Sequence, residues 1–365
     1  MKIAVNPTGN IEGLQVLRAV AALMVVLHHA RLSVPGSDAW PSFGEAGVDI
    51  FFVISGFVMA YTTAGLDDRQ PLRGRLGAAG MFLRRRAIRV APLYWLALLW
   101  TSRRDLAQGH VSTDLVKDFF FVPHPNSAFH TWLAPTLQQG WTLNYEAFFY
   151  LLFGATLLFG PRRIALLLGA LAACVIAGYA LTAAGWPTDV DSAAGIARRF
   201  YGDNIILEFG YGVLLQQLMS SARTRARLPL WSLWLLAAIG LAGLALGHGL
   251  GWRGVLEGLP AALIVWACIQ LCAGRQWPVF ELLGAASYSI YLFHWASFGA
   301  VKPLAAALAG MPNGVAKVTL LMAAHFAVAV IAGLAIHVAI EKPFTRWASR
   351  KFGGRTRKVP AVLSA

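Results

Sequence analysis

An all-α polytopic membrane protein is the fold class this sequence predicts, with about ten transmembrane helices in one bundle and both termini cytoplasmic. Three observations carry that expectation. The 365-residue chain is 57% hydrophobic, with mean hydropathy +0.58. Only 13% of its residues are Asp, Glu, Lys or Arg, against roughly a quarter in soluble domains, which is too little charge to cover a soluble surface. The apolar residues also gather into runs of about 20, the length that crosses a hydrocarbon core. The same composition excludes intrinsic disorder, which needs low hydrophobicity. The 13 Trp and 9 Tyr suit a bilayer interface.

Ten runs read as spans. The first, Leu14–Leu32, carries Arg18, His28 and His29 and so makes a poor core for a cleaved signal. Gly47–Gly65 follows, built on Val48-Asp49-Ile50-Phe51-Phe52 and interrupted by Ser55-Gly56. Ile88–Thr101 is short and is entered through an arginine cluster and Pro92. Gly140–Phe159 and Ile164–Gly185 follow, with Arg162 and Arg163 in the connection between them. Asn204–Met219, Trp231–His248, Val255–Ala273, Leu282–Ala305 and Val315–Ile340 complete the set. Residues 1–345 read as one membrane domain and 346–365 as a basic cytoplasmic tail.

Charge sets the orientation. The net charge is +14, from 31 basic and 17 acidic residues. In a membrane protein this excess marks the cytoplasmic loops and implies no nucleic acid. Alternate connections are indeed basic. One carries Arg69, Arg73, Arg75, Arg84, Arg85, Arg86 and Arg89, and later ones carry Arg162 and Arg163, then Arg223, Arg225 and Arg227, then Arg275. The tail adds Lys342, Arg346, Arg350, Lys351, Arg355, Arg357 and Lys358, and Lys2 opens the chain. The longest connection, Ser102 to Gln139, holds His110, His124, His130 and Trp132 on the expected outer side. Long loops in compact domains are commonly functional, so this one reads as a lid or acceptor-side surface.

Ionisable residues inside a span are costly and mark function. Arg18 and His29 are 11 positions apart, three helical turns plus about 20°, so they share one stripe about 16 Å long. That arrangement suits an anionic donor whose reactive end reaches an imidazole; the alternative is a snorkelling Arg18 and a packed His29. His28 points away and reads as a packing or supporting residue. Asp49, near the outer boundary, is placed to hold a histidine or a sugar hydroxyl. Arg86 and Arg89 share a helical face and suit phosphate recognition, or else anchor the topology. Glu146 is a carboxylate in an apolar run with Tyr150 one turn on. Ser287, Tyr291 and His294 form one polar stripe, which lines a cavity or bonds a neighbouring helix. His248, His325 and His337 read as structural.

Cys174, Cys268 and Cys272 form no CxxC pair, so neither a disulfide framework nor a zinc site is expected. The GxSxG elbow, the Walker phosphate loop and the HExxH spacing are absent from the sequence, and no GxGxxG follows a strand. No metal and no bound cofactor are expected, and any chemistry belongs to the helical bundle.

Six motifs in order resemble the acyltransferase-3 family of integral-membrane O-acyltransferases, most of all its exopolysaccharide-modifying, ExoZ-like branch. They are Arg18 with His29; the run Gly47 to Phe57; Arg86, Arg89, Pro92 and Tyr94; Trp141, Thr142, Leu143, Glu146, Phe149 and Tyr150; Tyr288 to Trp295; and Glu341 to Phe344. The resemblance implies a ten-helix bundle in a bacterial inner membrane. It implies transfer of an acyl group, commonly acetyl, from cytoplasmic acyl-CoA to a hydroxyl of an exopolysaccharide, O-antigen or lipid-linked sugar. Polysaccharide-assembly proteins are the expected partners. On this reading Arg18, Arg86 and Arg89 hold the donor, His29 acts as base or acyl carrier, and Glu146 orients it. Ser55 or Tyr150 would steady the oxyanion, and Asp49 and His294 would contact substrate. The competing readings are a transporter or flippase for a lipid-linked saccharide and a polyprenyl-phosphate-dependent glycosyltransferase.

Overall fold

The computed structural model describes residues 11–38, 40, 43–126, 132–221 and 228–352. Their order is α1 (Glu12–Ser33), α2 (Gly47–Thr63), α3 (Leu72–Thr101), α4 (Arg103–Ala107), α5 (Thr113–Phe119), α6 (Trp141–Thr156), α7 (Arg163–Ala183) and α8 (Ala193–Tyr201). Then come α9 (Leu207–Ser220), α10 (Leu230–Gly247), α11 (Arg253–Leu256), α12 (Gly258–Leu271), α13 (Pro278–Phe298), α14 (Lys302–Ala307), α15 (Val315–Ile336) and α16 (Lys342–Phe352). Among the described residues no strand forms; an isolated bridge pairs Pro125 with Leu133. The all-α fold follows from the solvent, because a helix satisfies its own backbone in hydrocarbon.

Six stretches are long and apolar enough to cross a membrane among the described residues: Glu12–Ser33, Phe43–Thr63, Gln138–Ala183, Leu230–Gly247, Arg253–Leu271 and Val315–Phe352. The ten expected runs differ from these for local reasons. Gly140–Phe159 and Ile164–Gly185 fall in one continuous stretch, turned at Gly160 (φ 56°), with α6 and α7 packed on each other. Ile88–Thr101 is the apolar end of α3, whose other end carries the arginines. Asn204–Met219 opens with a 3₁₀ turn before a 14-residue helix. Leu282–Ala305 passes from α13 into a 3₁₀ turn and then α14, and its first part carries the polar stripe.

The described residues gather into two compact units, one from 11–54 and 217–344, the other from 55–216 and 345–352. In the first, α1 runs parallel to α13 and α13 antiparallel to α15. Gly284 lies against Gln15 and Gly333 against Ile290 in these seams, and Gly13 meets the α12 backbone at Cys268. Helix backbones in a membrane approach through such small residues. In the second unit α3 and α6 pack antiparallel through Phe82 and Phe153, stacked at 5.1 Å. There Gly56 touches the Phe209 backbone. The α16 helix is basic, with Arg346, Arg350 and Lys351 beside Trp347 and Phe352, a composition suited to a membrane surface. Residues 353–365 of the expected tail, and Lys2, Arg223, Arg225, Arg227 and His130, lie outside the described residues.

The Ser102–Gln139 connection is folded over much of its described length rather than an open loop. It contains α4 and α5, and His124 is buried beside Asp118. The His124 Nε2 is 2.7 Å from Asp118 Oδ1 and its Nδ1 is 2.9 Å from the Pro125 carbonyl. Asp118 Oδ2 also accepts from the Thr136 backbone N–H. Burial by itself pulls the His124 pKa down, but the two hydrogen bonds and the charges of Asp118 and Asp114 outweigh it and raise the value overall. Both ring nitrogens face acceptors, and only the imidazolium can donate to both.

Two outcomes follow from this packing. A side chain at position 284 meets the Gln15 backbone, which cannot move aside cheaply, so Gly284→Val should cost about 1–3 kcal/mol, read as a lower melting temperature of the purified protein. An unchanged melting curve would show that the α1–α13 seam is looser than described. His124 contributes stability fully below the ordinary imidazole value of about 6.5 and loses it as pH rises through its higher folded value. Melting temperature should therefore fall across that window in the parent chain and much less in His124→Gln, and identical pH profiles would contradict it.

Candidate functional site

The residues singled out from the sequence fall into two groups, one within each unit. In the first unit, α1 and α13 bring four of them into pairs. Arg18 donates to Ser287 Oγ at 3.1 Å, and Ser287 in turn donates to the Gly284 carbonyl at 2.8 Å. One end of the same seam holds the histidines, with His29 Nδ1 at 3.0 Å from His294 Nε2. Trp295 lies 5.1 Å from the His29 ring. Ser287 and His294 of the α13 polar stripe therefore bond the neighbouring α1. His294 is fully buried, whereas Arg18 and His29 are half-buried.

Asp49 is fully buried, and its two oxygens accept from Arg253 Nε and a terminal Arg253 nitrogen at 2.9 Å each. That fork, rather than a histidine, is its partner. Sequence reasoning missed Arg253 because the pair spans 204 positions. Of the histidines read as structural, two have hydrogen-bond partners and the third only faces carboxylates. His337 Nδ1 is 2.7 Å from Glu341 Oε2, which also accepts from Ser289 at 2.6 Å. His325 Nδ1 is 2.8 Å from the Leu321 carbonyl, and His248 faces two carboxylates.

In the second unit, Ser55 donates to Glu146 Oε1 at 2.7 Å. Tyr150 interacts with both the Glu146 carboxylate and the Arg86 guanidinium. Arg86 reaches Thr62 Oγ1 at 3.4 Å and lies over the Phe82 ring at 5.6 Å, while its Nε is buried without a hydrogen-bond partner. Arg89 is exposed and electrostatically coupled to Arg86. Glu146 thus meets Ser55 and Tyr150, and the ring nitrogen of His29 meets His294. Ser55 is thus a donor to that carboxylate, with its hydroxyl proton engaged there. Glu208 is fully buried in this unit and escaped notice; a carboxylate inside an apolar run was the signal that could have found it.

A family model described as an acyltransferase domain matches residues 11–341. The exopolysaccharide production protein ExoZ of Rhizobium meliloti (strain 1021) is 34% identical over 337 residues, covering 88% of this chain and 94% of that protein. The acyltransferase MdmB of Streptomyces mycarofaciens is 25% identical over 355 residues, covering 89% and 87%. No solved structure matches.

The hydrogen bonds fix where the protons sit. His294 Nδ1 lies 2.7 Å from the Tyr291 carbonyl, which can only accept, so that nitrogen carries the proton. With the ring neutral, His294 Nε2 is an acceptor. His29 Nδ1 faces that nitrogen and, at 3.1 Å, the Val25 carbonyl. Two acceptors share one N–H, so the His29 proton is on Nδ1 and the lone pair is on Nε2. An imidazole held in this way can take a proton or attack a carbonyl. Nitrogen NMR of histidine-labelled protein in bilayers, with the signal assigned by its loss in His29→Gln, should show His29 protonated at Nδ1 only. The opposite tautomer would leave Nε2 without its lone pair and defeat this assignment.

Proposed function

This chain belongs to the membrane acyltransferase family whose domain spans residues 11–341, and we propose that it O-acylates a cell-surface glycan. The donor is cytoplasmic acyl-CoA, with acetyl as the simplest group. The acceptor is a hydroxyl of an exopolysaccharide, O-antigen or lipid-linked sugar, and the similarity to a protein named for exopolysaccharide production supports that class. The setting is a bacterial inner membrane, with polysaccharide-assembly proteins as partners.

The His29 Nε2 lone pair, left free because Nδ1 faces His294 and the Val25 carbonyl, carries this reading. In the reaction the acceptor hydroxyl gives its proton to His29 Nε2 while its oxygen adds to the thioester carbonyl. The carbon–sulfur bond then breaks, and the coenzyme A thiolate leaves with the proton from the imidazolium. His294 acts as a positioning residue. Arg18 supplies positive charge on the His29 stripe, and the Arg86–Arg89 pair suits the phosphates of coenzyme A, since guanidinium groups match phosphate oxygens. Tyr150 and Glu146 set the charge around Arg86. Asp49 holds Arg253 and so supports the outer end of α2.

Mass spectrometry of the surface glycan tests the whole proposal. A deletion strain should lack the acyl mass and the complemented strain should regain it. His29→Ala, inserted at parent level, should acylate about 10²–10⁴-fold less. An active His29→Ala protein overturns the mechanism. A glycan of unchanged mass whose export depends on the chain overturns the reaction and favours a flippase.

A further inference from the structure

Three residues that the acyl transfer does not use converge in the first unit. Glu45 lies in the 3₁₀ turn Phe43–Ala46 before α2, His248 caps the end of α10, and Glu257 precedes α12. Their candidate ligand atoms all lie within 4.8 Å of one another. His248 Nδ1 is 3.3 Å from Glu45 Oε1 and 3.8 Å from Glu257 Oε2. Neither His248 Nδ1 nor Glu257 Oε2 makes a hydrogen bond, although both atoms are buried. The Glu257 side chain is only 4% exposed, so a carboxylate oxygen taken out of water points at the cluster without a donor. Such an atom is expensive to leave unsatisfied.

We propose that Glu45, His248 and Glu257 bind one divalent transition-metal ion of the zinc class. Ligand atoms about 2.1 Å from a tetrahedral ion stand about 3.4 Å apart, close to the two separations from His248 Nδ1. Charge points the same way. The nearby Arg253 guanidinium forks onto Asp49 and also acts on Glu257, so with Glu45 three carboxylates face that one guanidinium, an excess that a dication would balance. One imidazole with two carboxylates favours zinc or cobalt over calcium or magnesium, which prefer oxygen alone. The Glu45 side chain is 37% exposed, giving the ion a way in and room for a water as fourth ligand. All three residues lie at span ends expected to face outside. The other Glu45 oxygen is 3.8 Å from His28 Nε2, and the His28 ring meets His29 edge-on at 5.2 Å. A bound ion therefore fixes Glu45, and Glu45 in turn steadies the neighbour of His29.

Titration of the full chain, purified with a histidine-free tag and stripped of metal, tests this with Co²⁺ and Zn²⁺. The expected result is one Co²⁺ per chain with the visible absorption of a tetrahedral site, displaced by Zn²⁺. Glu257→Gln and His248→Ala should each weaken binding by about 10–100-fold. Glu45→Gln, at a half-exposed position, provides a third reading that does not depend on tolerance of a buried change. His110→Ala, at an exposed histidine, should bind as the parent does. Absence of saturable binding in the parent overturns the proposal. So does binding that survives all three ligand substitutions or is lost equally in His110→Ala, since the ion would then sit elsewhere on the surface. Acylation by the parent chain is a separate readout, so failure here leaves the proposed reaction standing.

Discussion

A polar side chain placed in an apolar layer must find its partner within the protein, and the first unit is arranged around that constraint. Arg18 meets Ser287, His29 meets His294, and Ser289 and His337 both meet Glu341. Each pair ties one helix to another or closes a turn, so the pairs register the helices as well as satisfy their members. The pairing is also selective. His29 has its Nδ1 committed to two acceptors, and that commitment leaves the lone pair on the other nitrogen. The feature that stabilises the seam is thus the one that prepares the ring for chemistry.

Close helix approach makes the pairing feasible. Short side chains such as Ser287 can bridge a seam only where the backbones come near each other, and glycines create those places. Gly284 against Gln15 and Gly333 against Ile290 bring α1 and α15 onto the two sides of α13. Leu, Ile and Val supply bulk but little drive for association in lipid, because the solvent is equally apolar. Packing at small residues and hydrogen bonds between helices decide the contacts instead. The second unit follows the same pattern, with Gly56 on the Phe209 backbone and Ser55 joined to Glu146.

Charge plays two distinct parts in this chain. Most of the arginines lie in connections or at helix ends, where hydration is cheap and orientation in the membrane is set. A few sit where a specific anion meets them. Arg253 forks onto the buried Asp49 and Arg163 bonds Asp68 at 2.7 Å, whereas Arg86 is withdrawn from solvent with its Nε lacking a hydrogen-bond partner. Sequence position does not separate the two classes, since Arg84, Arg85 and Arg86 are consecutive and only Arg86 is withdrawn from solvent to this extent.

The sequence by itself determined the all-α membrane class, since hydropathy and the length of apolar runs respond directly to the thickness of the bilayer. It also marked Arg18, His29, Ser55, Glu146 and His294 as unusual, because an ionisable or polar group in such a run is costly wherever the helix later packs. Their pairings were beyond it. His29 and His294 are 265 positions apart and Asp49 and Arg253 are 204 apart, and helical periodicity describes one helix at a time. Glu45, His248 and Glu257 carry no local spacing at all, because each sits at the end of a different element. Tertiary structure decided which polar groups meet, which nitrogen of His29 keeps its lone pair and how the long connection folds around His124. Those outcomes depend on how helix faces fit together, which the order of residues along any single helix does not contain.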